Sequence, residues 1–154
     1  MNLRKNKSIS LNISDENKEK ALVSSVKTAK LLQELFKYNF DEVDQEKEMV
    51  FVLHLTSMLK IKSLEIVSIG TLNSSLVHPR ETFRRAIVNG THSIIIAHNH
   101  PSTNPEPSQD DISITKRLFN AGRLLGINIL DHIIFNHLDN KYYSFRDNRI
   151  ILKD

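Results

Sequence analysis

Two stretches of this 154-residue chain restrict its fold more than any other feature: Met49-Val-Phe-Val-Leu-His-Leu55 and Ser93-Ile-Ile-Ile-Ala-His98. Each is an almost unbroken run of β-branched, aromatic and aliphatic residues, the pattern of a strand covered on both faces. Ser63 to Ile69 predicts a further strand closed by Gly70, and Ile127 to Phe135 and Tyr142 to Phe145 predict two more with a turn at Asp139-Asn140. Helical spacing appears between them. Ala29, Leu32 and Phe36 follow Ser24 and Ser25, either of which can cap a helix. Pro79 and Glu81 suit a first helical turn, with Gly90 as the stop. A long helix is expected from about Ser108 to Leu125, with Ile114, Leu118, Ala121 and Leu125 on its apolar stripe and Gly126 at its end. Strands interspersed with helices predict an α/β (α+β) fold with a mixed central β-sheet and helices on its faces.

The length suits one domain with a single core. Residues 1–22 are polar and lack a sustained period, and read as an N-terminal arm; residues 23–154 form the domain. The acidic stretch with Asp41, Glu42, Asp44, Glu46 and Glu48 reads as a connection. The net charge of +3 is spread along the chain, so contacts with nucleic acid are expected to be weak and non-specific. With no cysteine, disulfides and thiolate metal sites are excluded. No apolar run approaches a membrane span and no signal-like segment opens the chain, which predicts a soluble cytoplasmic protein.

The chemistry concentrates between residues 98 and 111. His98 and His100 lie two apart where a strand is ending, so both imidazoles reach the same side. A non-helical loop with three prolines, Pro101 to Pro107, then brings Ser108 and Asp111 to the start of a helix. Two imidazoles and a carboxylate suit zinc (Zn2+) with a fourth position open. Such a site acidifies a water, and a further carboxylate is needed to move its proton. A hydroxyl beside the metal can steady an oxyanion. Ser108 and Asp111 also have the spacing of a helix capping box, which is compatible with the metal reading. Asp110 competes with Asp111 as ligand but reads as a first-turn helix charge.

His-x-His, seven residues, Ser, two residues, Asp matches the JAMM signature of MPN metallopeptidases in full. Given a His-x-His pair, the Ser and Asp offsets arise by chance in roughly one case in several hundred. With Glu65-Ile-Val-Ser-Ile-Gly-Thr-Leu72, Val77-His-Pro-Arg-Glu-Thr-Phe83, His98-Asn-His-Pro-Ser102 and Leu130-Asp-His-Ile-Ile134, the chain from about Val23 onward resembles the RadC family. The resemblance implies the MPN (cytidine deaminase-like) architecture and zinc-dependent hydrolysis of a peptide or isopeptide bond in a peptide or protein substrate. It implies His98, His100 and Asp111 as zinc ligands and Ser108 as the hydroxyl beside the metal. It suggests Glu48 as the general base, with Glu46 and then Glu65 as alternatives. Thr103 stands where the family usually has Gly, and residues 1–22 show no helix-hairpin-helix pattern of the kind many RadC proteins carry.

A DNA-repair-associated accessory or nucleic-acid-processing role is the second reading. His98-Asn99-His100 resembles the name-giving residues of HNH nucleases, which are normally dispersed through a larger motif. Zinc deaminases share a related sheet but need cysteine ligands, which this chain lacks. A binding scaffold is disfavoured by the intact ligand pattern. Of the other histidines, His54 is expected as a hydrogen-bonded core residue and His132 in a structural role, with support of a metal ligand from behind as the alternative that the family resemblance offers. His78, His92 and His137 are expected to be solvated.

Overall fold

The computed structural model describes residues 9–11, 13–18, 24–70 and 77–150. Among these, a six-stranded sheet runs in the order β1-β3-β2-β4-β5-β6: β1 Ile9–Leu11, β2 Glu48–Leu55, β3 Ile61–Gly70, β4 Ser93–Asn99, β5 Asn128–Phe135 and β6 Tyr142–Ser144. β4 and β5 are parallel and every other pair is antiparallel. The sheet is therefore mixed, as expected. Helices are α1 Asp15–Lys18, α2 Ser25–Asn39, α3 Glu42–Gln45, α4 Pro79–Val88 and α5 Gln109–Leu125.

The two apolar runs are the central strands β2 and β4, and each is buried on both faces. On one face Met49, Phe51 and Leu53 pack with Ala29, Leu32 and Phe36 of α2. On the other, Val50, Val52, Ile94 and Ile96 pack with Phe83 and Ala86 of α4 and Ile114 and Leu118 of α5. Successive strand residues point to opposite faces, so a run with no polar alternation requires both layers.

Several elements differ from expectation. The polar N-terminal stretch contributes β1, paired to β3 through Ser10 opposite Glu65, although its sequence carries no strand period. Most of the predicted 1–22 arm and its boundary with the domain lie outside the described residues. The acidic connection folds at its centre into α3, capped by the Asp41 carboxylate, and Glu48 already belongs to β2. Ser24 is the cap of α2, whereas the buried Ser25 donates its hydroxyl proton to Asp147. Leu125 is 47% exposed and does not continue the apolar stripe of α5. Gly122 takes the inward position there, because a bare Cα lets the helix close on the Ile127 carbonyl and the Phe83 ring.

Candidate metal centre

The C-terminal end of β4 and the N-terminal end of α5 meet beside the start of β2. His98 is fully buried in β4, His100 follows that strand, and Asp111 lies in the first turn of α5. Their side chains converge. His98 Nε2 is 3.0 Å from His100 Nε2 and 3.4 Å from Asp111 Oδ1, and His100 Nε2 is 3.1 Å from Asp111 Oδ2. Ligands held about 2.0–2.2 Å from a tetrahedral zinc stand about 3.3–3.6 Å apart by simple geometry. The three donor atoms thus have nearly the spacing that such an ion requires, and their chemistry fits it. Asp110, by contrast, is exposed.

Each donor is held by its local structure. Ser108 caps α5: its hydroxyl accepts from Asp111 N–H at 3.0 Å, and the Asp111 carboxylate accepts from Ser108 N–H at 2.9 Å. The capping box therefore aims Oδ2 at His100. The proline-rich loop returns the Asn104 carbonyl to within 3.1 Å of His100 Nδ1. A carbonyl only accepts, so this nitrogen carries the proton and Nε2 presents a bare lone pair. Asn136 steadies the same loop by donating to the carbonyls of His100 and Ser102. Behind His98, Nδ1 lies 2.7 Å from His132 Nε2, and His132 Nδ1 lies 2.6 Å from Thr115 Oγ1.

Burial pushes the His98 pKa down, only partly opposed by Asp111. At His100 burial acts in the same direction, but hydrogen bonds to Asp111 and Asn104 outweigh it and the pKa rises. Burial would raise Asp111, yet both imidazoles hold its carboxyl far below the usual range. A lone pair, a carboxylate and a second imidazole within about one hydrogen-bond length need a cation between them. Either a shared proton or a metal ion supplies it.

Glu48 is the first residue of β2. Val50 is paired with His98 in the antiparallel β2–β4 ladder, and Glu48, two residues before Val50, lies on the same face of β2 at the end of that ladder. Glu48 is close enough to act electrostatically on both imidazoles. Asn99 secures this strand start. Its side chain accepts from Met49 N–H at 2.7 Å and donates to the Lys47 carbonyl at 2.8 Å, bracketing Glu48. Glu46 is exposed at the end of α3. Glu65 is fully buried elsewhere, 2.7 Å from His54 Nε2 and 3.5 Å from Arg85. That pairing makes His54 the hydrogen-bonded core residue expected.

Sequence reasoning missed Asn99, Asn104, Thr115 and Asn136 as supports of the site. Asn99 left one readable sign: a polar side chain at the end of a fully buried strand has to find partners. For His132 the second of the two expected roles holds, since it contacts His98 directly. His137 is not solvated; it is 7% exposed and packs on Phe36 with ring centroids 5.2 Å apart. His78 and His92 are exposed as expected.

A family model described as RadC-like JAB domain matches residues 24–150. A UPF0758 protein of Alkaliphilus oremlandii is 50% identical over 105 residues, 68% of this chain and 44% of that protein. One of Methanosarcina mazei is 48% identical over 104 residues, again 68% and 44% of the two chains. One of Chlorobium chlorochromatii is 42% identical over 119 residues, 77% of this chain and 53% of its own. The chain spans about half the length of the curated relatives it matches.

Proposed function

This chain belongs to the RadC-like JAB domain family, and we propose that it is a zinc-dependent metallopeptidase of the JAMM type, hydrolysing a peptide or isopeptide bond. The observation that carries this reading is the convergence of His98, His100 and Asp111, with all ligand atoms within 4.8 Å of one another. In the proposal these three hold zinc. When bound there, zinc polarises a carbonyl and lowers the pKa of a coordinated water to about 7. Glu48, at the head of β2 two residues before the partner of His98, takes the proton of the attacking water and delivers it to the leaving amine. Ser108, already fixed by the cap, orients its hydroxyl beside Asp111 to stabilise the oxyanion. An open groove of about 500 Å³ lined by Thr103, Asn104, Glu106 and Tyr142 borders the loop that holds His100, and it suits an extended substrate segment.

In this proposal the substrate is a peptide or protein and the reaction is a cytoplasmic one. Among the described residues, no helix is long and apolar enough to cross a membrane. The alternative, an accessory or nucleic-acid-processing factor in DNA repair, draws on the family's name, and the basic residues are spread along the sequence among acidic ones. A peptide-library digest with the zinc-loaded protein, run beside a DNA-cleavage panel, separates the two. Glu48→Gln should retain fold and metal while lowering peptide cleavage by about 10²–10⁴-fold. Undiminished cleavage by that variant, or cleavage of DNA alone, contradicts the reading.

A further inference from the structure

Behind the candidate metal centre, a chain of three side chains runs from the interior of α5 to the back of His98. Thr115 Oγ1 lies 2.5 Å from the Asp111 carbonyl and 2.6 Å from His132 Nδ1, and His132 Nε2 lies 2.7 Å from His98 Nδ1. Thr115 and His98 are fully buried and His132 is 2% exposed, so no solvent path interrupts the series. The His132 ring is also fixed in its plane, stacked on Phe145 with centroids 4.8 Å apart and an interplanar angle of 10°.

The proton positions follow from what each atom can do. A carbonyl only accepts, so the single hydroxyl proton of Thr115 goes to Asp111. The hydroxyl oxygen then accepts from His132, which places a proton on His132 Nδ1. One proton lies between His132 Nε2 and His98 Nδ1. Placing it on His132 would create a buried imidazolium whose ring nitrogens face only a hydroxyl and a second imidazole, an unfavourable site for a charge. It therefore resides on His98 Nδ1, and His98 Nε2 is left as a lone pair directed at His100 and Asp111.

We propose that Thr115 and His132 form a tautomer relay that locks His98 in its Nδ1–H form and keeps Nε2 open as a metal ligand. The relay builds on the zinc reading above, and it makes both residues positioning residues. His100 obtains the same tautomer by a separate route, through the Asn104 carbonyl. The Nδ1 of His98 faces His132 instead of a carbonyl, and the relay serves in that place. Because the Asp111 carbonyl anchors the far end, the same helical turn supplies one ligand and sets the protonation of another.

Long-range ¹⁵N–¹H correlation spectra of the metal-free protein, paired with zinc affinity measured by chelator competition, test the relay. The wild type should show Nδ1–H tautomers at both His98 and His132. Thr115→Val removes the acceptor without changing side-chain shape. His132 should then favour Nε2–H, His98 should shift to Nε2–H, and zinc affinity should fall by about 10–100-fold. Thr115→Ser, which retains the hydroxyl, should restore both readouts. A wild-type protein with these tautomers but no zinc affinity would uphold the relay and defeat the zinc reading. A His98 in the wild type whose Nδ1 carries no proton, or unchanged tautomers and affinity in a folded Thr115→Val, would overturn the relay.

Discussion

At the scale of single residues, the site is set by polar groups with few alternatives. Asp131 is an example one position from the relay. Its carboxylate accepts from His132 N–H at 2.7 Å, Arg146 N–H at 3.0 Å and the Ser144 hydroxyl at 2.6 Å. Asp131→Ala strands these three donors, at about 1–3 kcal/mol for each left unsatisfied. Urea denaturation should find a loss of about 3–5 kcal/mol, with a much smaller loss for Asp131→Asn, whose amide oxygen still accepts the two backbone N–H groups. Burial raises the Asp131 pKa, the largest influence on it. A folded-state pKa above the unfolded one adds stability that is fully present below the unfolded pKa and declines as pH rises through the folded one. The advantage of wild type over Asp131→Asn should therefore shrink from acid toward neutral pH. A gap that widens with pH would show that the carboxyl is held ionised.

At the scale of elements, the close approach of α5 to its neighbours depends on Gly122. A Cβ added there would stand 2.6 Å from the Ile127 carbonyl oxygen and 3.1 Å from the Phe83 ring. The carbonyl belongs to the backbone entering β5 and cannot turn aside. Gly122→Ala should cost about 1–3 kcal/mol in chemical denaturation. Native stability in that variant would mean that the helix end packs less closely than described. The same helix shows what a sequence conveys and what it withholds. Its start was legible, because Ser108, Asp111 and the preceding prolines are local signals. Its stop at Gly126, whose φ is +73°, was legible too, but the burial of its last turn was not, because periodicity alone put Leu125 on the apolar stripe and could not reveal that Gly122 takes the inward position. β2 and β4 were legible because double burial leaves a run without polar alternation. β1 was not, since its pairing with β3 is a long-range event with no local pattern.

At the scale of the whole molecule, the sheet brings together residues separated by half the chain. His98, His100 and Asp111 come from one strand–loop–helix connection and were recognisable by spacing alone. Glu48 arrives through the β2–β4 register, which no local spacing encodes; only its place at the head of an apolar strand and the family resemblance pointed to it. The His98–His132–Thr115 series likewise depends on β5 lying parallel to β4, with His132 paired to Ile96 and α5 packed above. The architecture therefore gives each proposed ligand a support from a different element. The central claim is that this arrangement holds zinc. The most direct measurement is elemental analysis of protein purified without chelator, beside a His98→Ala/Asp111→Ala double variant verified to be folded. The account predicts one zinc per wild-type chain and almost none in the variant. Full zinc occupancy in the double variant, or a wild-type protein that takes up no zinc when it is supplied, would contradict it.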